Sequence, residues 1–295
     1  MSGRVAVVIV THHSAAVIGA CLDSVRDVDQ LIVVDNASDD ETRQIVAQKA
    51  PAAEVLHNAV GVGYGNGANQ GLARVACEFA LMVNPDSVLR PDAIAELLAA
   101  AERYPEAAMF GPTLLKPSGE VELSHDVSLF ERRRYGKRDG ESPPVGDCSA
   151  ASLSGAVVLL RMAALKQVGF FDSNLFLYYD DDDMCMRLGA AGYGLVLAPA
   201  AVAEHRGAGS VRPSPGYYWE KFWHMAWSRL YMEEKYHGPA AMRRMALGNG
   251  LRYAAKTIAH TVTLNRHKAW RDAARTSGAI AYLAGVPALR DNLRS

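Results

Sequence analysis

Cysteine is scarce in this chain: four residues, Cys21, Cys77, Cys148 and Cys185, are spread over 295 positions. None stands in a C-x-x-C pair, which argues against a thiolate zinc site or a disulfide framework and leaves reduced thiols as the expectation. No uninterrupted apolar run reaches the roughly 18 residues that a membrane-spanning helix needs. No basic segment with a cleavage site precedes the first apolar run at Val5–Val10, so no signal peptide is expected. Net charge is nearly absent too, at −1, and no nucleic-acid partner is expected.

The charge that is present is unevenly placed. Residues 216–295 hold 13 Lys and Arg against 5 Asp and Glu, a balance of +8, while residues 1–215 hold 18 against 27, a balance of −9. This asymmetry predicts a body with an acidic site, residues 1–215, and a basic helical extension, residues 216–295.

Strand and helix patterns alternate along the body. Residues 4–10 and Leu31–Val34 are apolar runs of the kind buried on both faces of a sheet, and Glu54–His57 and Phe79–Val83 follow. Helices are expected over 14–26 with Ser14 as cap, 40–49, 68–76 after a glycine-rich loop at 61–67, and from Pro91 to about 102. Four such alternations predict an α/β fold with a doubly wound, mostly parallel sheet. Ligands of such sheets sit at the carboxyl ends of the strands, where the polar clusters of this sequence also fall. Arg132–Arg134, Lys137 and Arg138 predict a mobile basic loop within 131–147. Beyond it come a strand over 154–160, helices over 162–168 and 180–189, and a strand over 194–198; from about 217 the pattern is helical, amphipathic and basic.

Several clusters carry chemistry, each with a plainer alternative. Asp35-Asn36-Ala37-Ser38 offers a carboxylate for a nucleobase imide or a ribose hydroxyl, or caps a helix. Gly61–Gly67 lets a backbone approach a phosphate, or is a flexible loop; it lacks the dinucleotide-binding spacing. Asn84-Pro85-Asp86 presents an oxygen ligand for Mg²⁺ or Mn²⁺, or is a turn. Asp180-Asp181-Asp182-Asp183 is the least bland: four adjacent carboxylates repel one another, and a cleft raises the pKa of one of them towards a general base. Its alternative is a solvated acidic face, against which stands the apolar lead-in Phe170–Tyr179. His205 is a metal ligand, a phosphate contact or a structural histidine.

Taken in order, these segments resemble glycosyltransferase family 2 and its rhamnosyltransferase-like branch, over roughly residues 4–210. The resemblance rests on the opening run ending at Thr11, on Val33-Val34-Asp35-Asn36-Ala37-Ser38-Asp39-Asp40, on Asn58 through Gly61, Gly63 and Gly65 to Asn69-Gln70-Gly71, on Asn84-Pro85-Asp86, on Ser154-Gly155-Ala156, and on Gly169-Phe170-Phe171-Asp172 continuing to Asp180–Arg187.

The resemblance implies a GT-A fold with a C-terminal helical extension. It also implies metal-dependent, inverting transfer of a sugar from a nucleoside diphosphate to an acceptor hydroxyl. It assigns Thr11, Asp35, Asn36, Gly63, Asn69, Asn84 and Asp86 to the donor site, Asp86 and His205 to Mg²⁺ or Mn²⁺, and Asp181 to the general base. Asp180, Asp183, Gly155 and Ala156 support the acceptor side. dTDP-rhamnose is the leading donor by the same resemblance, ahead of UDP-hexoses, with a glycan or polyprenyl-linked acceptor in surface polysaccharide synthesis. His12-His13 stands where the family has Tyr-Asn, Asp180 replaces a Glu, and Asp182 replaces an apolar residue, which leaves the base open between Asp181 and its neighbours. Rival readings are a nucleotide-sugar-binding regulator with a degenerate site and a nucleotidyltransferase; the latter is disfavoured because Thr11–Gly19 has no Lys or Arg.

The aromatic and cationic residues of 217–235, among them Trp219, Trp223, Trp227 and Tyr231, suit either a bilayer interface or packing onto the body or a homodimer partner. The expected location is cytoplasmic, with the inner face of the cell membrane as the site of any peripheral contact.

Overall fold

The computed structural model describes residues 3–135, 142, 144–207 and 214–289. The first half alternates as expected: β1 (Val5–Thr11), α1 (Ile18–Ser24), β2 (Gln30–Asn36), α2 (Thr42–Lys49), β3 (Glu54–Asn58), α3 (Tyr64–Leu72), β4 (Phe79–Val83), the short β5 (Ser87–Leu89) and α4 (Ala93–Arg103). There follow β6 (Ala107–Leu115), β7 (Val121–Glu122), β8 (His125–Asp126), α5 (Arg132–Tyr135), β9 (Cys148–Ser149), β10 (Ser152–Leu153), β11 (Val157–Arg161), α6 (Met162–Val168), α7 (Asp180–Ala190) and β12 (Gly194–His205). Two long helices, α8 (Pro215–Val262) and α9 (Arg266–Leu283), end the described chain.

The main sheet runs β3-β2-β1-β4-β11-β6-β12-β5. β1 to β4 are mutually parallel. β11 runs antiparallel to both β4 and β6, and β12 is parallel to β6. Six strands of that path therefore share one direction, and their carboxyl ends lie along one rim. β11 contributes its amino end to the same rim, because Val157 pairs with Val83. Every residue of β1 is buried, as the uninterrupted apolar run requires. The core joins Val7, Ile9 and Val33 to Leu81, Leu97, Phe110 and Leu159.

Several elements differ from the sequence expectation. The strand β6 was not foreseen, because Gly111 and Pro112 interrupt its apolar run. Pro112 is tolerated where it pairs with Ala198, next to a register shift in β12. Ser14 does not cap α1: the helix begins four residues later at Ile18, and the Ser14 carbonyl accepts from Val17 and Ile18 in the preceding turn. Pro91 precedes the helix that Asp92 opens. Helix α3 begins inside the expected glycine loop, and two of its glycines are there for packing. A Cβ on Gly71 would stand 2.5 Å from Val8 Cγ1, and one on Gly67 3.0 Å from Val10 Cγ1. Within the expected basic loop, Arg132 is fixed in α5, whereas Lys137 and Arg138 lie outside the described residues.

The chain groups into two units. One comprises the described residues of Met1–Gly61, Asn66–Phe171 and Asp181–Val211, and the other those of Val62–Gly65, Asp172–Asp180 and Arg212–Ser295. These divide the chain at more points than the single boundary expected from composition. In the second unit α8 is two helices joined at a kink, with Gly238 at φ 81° followed by Pro239. Its aromatic residues are largely spent on packing with α9. Trp223 and Trp227 are buried with Ala281 and Ala288, Trp227 Nε1 donates to the Val286 carbonyl at 2.8 Å, and a Cβ on Gly278 would meet the Trp223 carbonyl. The Arg275 guanidinium lies 4.7 Å from the Phe222 ring centroid.

Candidate functional site

The carboxyl rim of the parallel strands gathers most of the polar residues singled out in the sequence. Thr11 ends β1 and Asp35 lies one residue from the end of β2; both are buried, and Thr11 Oγ1 donates to Asp35 Oδ1 at 3.2 Å. The other oxygen of Asp35 faces two side chains that the sequence did not flag: Arg43 Nε at 3.8 Å and His57 Nδ1 at 3.7 Å. Arg43 and His57 also line a groove of about 390 Å³ along α2 and β3, together with Gln44, Val46, Ala47 and Val55. The groove lies beside Asp35, not at the acidic run.

A dense network holds this end of β1 and β2. Asn36 accepts at its carbonyl from His12 Nδ1 at 2.7 Å and at Oδ1 from Asn58 Nδ2 at 3.3 Å. His13, at φ 49°, donates its backbone N–H to Ser38 Oγ and pairs with Asp39 at 3.0 Å. Burial, and then the neighbouring His13, hold the His12 pKa below its ordinary value despite the Asn36 carbonyl and the nearby acids. Asn69 uses both ends of its amide on the backbone of Phe171, at 2.9 Å each, and so ties α3 to the segment before the acidic run.

Asp86 follows β4 through the turn at Asn84, whose backbone N–H donates to the Ala156 carbonyl at 2.8 Å. Asp86 is buried, and its Oδ1 lies 3.6 Å from Nε2 of His205, the last residue of β12. The other ring nitrogen, Nδ1, lies 2.9 Å from Glu122 Oε2. Burial lowers the His205 pKa, but the Glu122 hydrogen bond and the charges of Asp86 and Glu122 outweigh it and raise the net value. Glu122 sits on the two-residue β7, too short for a sequence pattern to reveal.

The acidic run separates into distinct roles. Asp182 is buried and pinned by Arg132, whose Nη1 lies 3.1 Å away, and by the Ser152 hydroxyl at 3.0 Å. Arg132 in turn pairs with Asp126 at 2.9 Å. Asp183 is fully buried against Arg187 at 2.8 Å, and Arg187 also donates to the carbonyls of Val168, Gly169 and Phe170. Both are structural ion pairs within the first unit. Asp181 differs. Among the described residues its carboxylate accepts from backbone donors: Gly155 N–H to Oδ2 at 3.2 Å and Asp182 N–H to Oδ1 at 2.9 Å. Burial, and then the Asp182 charge, push its pKa up to about 6 against the pull of those N–H groups and Arg132. Asp180 is buried at the start of α7 and belongs, with Gly63, to the second unit. There Gly63, at φ 88°, admits the Phe176 carbonyl, which a Cβ would meet at 2.3 Å. The close approach that this glycine permits is therefore to protein backbone. Tyr178 and Tyr179, at φ 69° and 67°, turn the chain into the acidic run in a left-handed conformation rare for such residues.

Asp86, Ala156, Gly155 and Asp181 are thus linked through short stretches of backbone and two hydrogen bonds at one rim. Among the described residues no three His, Cys, Asp or Glu side chains converge into a metal cage. Asp86 and His205 do form an oxygen and nitrogen pair, with the second ring nitrogen held by a carboxylate, the usual support of a metal-binding histidine.

Comparison with known proteins identifies the family and the fold. The family described as Glycosyl transferase family 2 matches residues 6–169. A relative from Mycobacterium tuberculosis (strain CDC 1551 / Oshkosh), N-acetylglucosaminyl-diphospho-decaprenol L-rhamnosyltransferase, is 31% identical over 216 residues, covering 63% of this chain and 69% of its own. Rhamnosyltransferase WbbL of Escherichia coli (strain K12) is 25% identical over 226 residues, covering 68% and 82%. In fold, the chain is similar to mannosyltransferase PcManGT from Pyrobaculum calidifontis, solved in complex with GDP-Man and Mn²⁺, with a TM-score of 0.57 at 17% identity over 96% of this chain and 88% of that one. The chain belongs to glycosyltransferase family 2, in its rhamnosyltransferase-like branch, and has that family's GT-A-like α/β fold.

Proposed function

We propose that the protein is an inverting, metal-dependent glycosyltransferase that moves a sugar, rhamnose from dTDP-rhamnose in the first instance, onto a hydroxyl of a glycan or polyprenyl-linked acceptor in surface polysaccharide synthesis. The observation that carries the reading is the contrast within the acidic run: Asp182 and Asp183 are neutralised by arginines, while Asp181 keeps a carboxylate with a raised pKa beside Gly155. The mycobacterial relative's decaprenol-linked substrate and the rhamnosyltransferase names of both relatives support the acceptor and donor classes.

In this reading Asp35 and Thr11 hold the nucleoside, with Arg43 and His57 beside Asp35, and Asn36 and Asn69 keep that pocket in shape. Asp86 and His205 would hold Mg²⁺ or Mn²⁺, which when bound neutralises charge on the departing nucleoside diphosphate. Asp181 takes the proton of the acceptor hydroxyl as its oxygen bonds to the anomeric carbon. The bond from that carbon to the diphosphate oxygen breaks on the opposite face, so a single displacement inverts the carbon. A pKa of about 6 suits a base that is ionised at neutral pH yet still basic enough to accept a proton. The protein works in the cytoplasm, at the inner face of the membrane where a lipid-linked acceptor is presented.

The deciding experiment incubates the protein with dTDP-rhamnose, UDP-hexoses and a polyprenyl-diphosphate-linked acceptor, with and without Mn²⁺. Transfer from dTDP-rhamnose supports the reading. Nucleotide-sugar binding with neither transfer nor hydrolysis would favour a regulator with a degenerate site.

A further inference from the structure

We infer that the outward face of the second half of α8, with the turn into α9, seats the protein on an anionic bilayer surface. The inference rests on the lipid-linked acceptor proposed above. Leu247, Leu251, Ile258 and Val262 fall within about 60° of arc at 100° per residue. All four are exposed, Leu251 and Ile258 at 66% and Val262 at 76%. The inward face of the same helix carries Met242 and Ala246, buried with Leu230 and Ala279. The exposed arc is thus a second apolar face that the pairing of α8 with α9 does not use. In the turn that follows, Leu264 is held at φ 54° and is 83% exposed, and Trp270 on α9 is half exposed. Contiguous exposed apolar surface of this kind marks an interaction site.

Charge identifies the partner. From Lys235 to Arg271 the sequence has eight Lys and Arg and no Asp or Glu. Arg243, Arg244, Arg252, Arg266 and Lys268 are exposed, the first three on the same half of α8 as the apolar arc and the last two at the start of α9. A second copy meeting this face by twofold symmetry would set these cations against themselves. Anionic headgroups complement them, while the leucines, isoleucine and valine enter the acyl boundary, as in interfacial amphipathic helices. Among the described residues no helix is long and apolar enough to cross a membrane, so this contact lies along the surface. Trp223 and Trp227, which the sequence offered as interface aromatics, are buried against α9 and take no part.

The test uses the full chain and sedimentation with vesicles of phosphatidylcholine alone or mixed with phosphatidylglycerol. Binding is expected to the mixed vesicles only. The pairs Leu251→Glu with Ile258→Glu, and Arg252→Glu with Arg266→Glu, each reduce it about tenfold or more. All four positions are exposed, so circular dichroism and the thermal midpoint stay unchanged, and transfer to a short, water-soluble acceptor analogue stays at the wild-type rate. Equal sedimentation of variants and wild type overturns the inference. So does equal binding to neutral vesicles, or a concentration-dependent dimer in light scattering that the same substitutions abolish. Vesicle binding with the expected variant losses but no sugar transfer to any acceptor upholds this surface and removes the transferase reading instead.

Discussion

Gly155 and Asp181 approach so closely that a Cβ at position 155 would stand 3.2 Å from the Asp181 Cβ and 3.4 Å from its Oδ2. The Gly155 N–H donates to that same oxygen at 3.2 Å. The backbone just before β11 therefore positions Asp181, which, unlike Asp182 and Asp183, is held by backbone N–H groups and not by an arginine ion pair among the described residues, and position 155 has no room for a side chain without displacing it.

Gly155→Ala is expected to lower kcat about tenfold or more with little change in donor KM, because displacement of a reacting group by a fraction of an ångström lowers rate more than binding. Gly71→Ala makes the contrast. Its Cβ would meet Val8 Cγ1 at 2.5 Å in the core, so it lowers stability by about 1–3 kcal/mol and leaves the kcat of the folded fraction alone. Steady-state kinetics with urea melts of both variants separate the two effects.

Asp181→Asn is expected to reduce kcat by about 10²–10⁴ while donor binding, read by calorimetry, survives. In the wild type kcat/KM falls on acidification below about pH 6, as the base becomes protonated. The sign for stability is opposite. The folded-state value lies above the ordinary 3.8, so the stability that this carboxyl contributes is present below pH 3.8 and is lost as pH rises through about 6. The Asn variant is therefore more heat-stable than wild type at neutral pH, and the gap closes in acid. A wild-type kcat in this variant removes Asp181 as the base.

Arg187→Met removes the arginine paired with the fully buried Asp183 and frees the carbonyls of Val168, Gly169 and Phe170. A loss of about 3–5 kcal/mol in the unfolding free energy is expected. Denaturant titration checks it, and a change below 1 kcal/mol would mean that the pair is not structural.

Glu122→Gln tests the proposed metal seat without touching a ligand. Gln accepts a hydrogen bond from His205 but supplies no charge, so Mn²⁺ affinity is expected to fall about 10–100-fold with the donor KM at saturating metal unchanged. Titration of Mn²⁺ by electron paramagnetic resonance reads this directly; unaltered affinity removes Glu122 from the site.

β1, β2 and β4 were legible because burial on both faces demands apolar runs, and the clusters at Asp35 and at Asn84-Pro85-Asp86 were legible because each follows such a run. β6 was hidden by Gly111 and Pro112. The length of β12 was hidden by Pro199, beside a register shift that allows the strand to continue to His205. Arg43, His57 and Glu122 gave no local signal, since what marks them is a neighbour far away in sequence.

The sequence by itself determined the alternation that makes a mostly parallel sheet and the order of the motifs along its rim, because hydrophobic periodicity and strand ends are local properties of the chain. Composition and spacing left the four consecutive aspartates undivided, and the family resemblance alone singled out Asp181. The tertiary structure gave three of them separate surroundings, Arg132 and Ser152 beside Asp182, Arg187 beside Asp183 and the N–H of Gly155 beside Asp181, because a carboxylate's pKa and role are set by the groups that folding brings beside it.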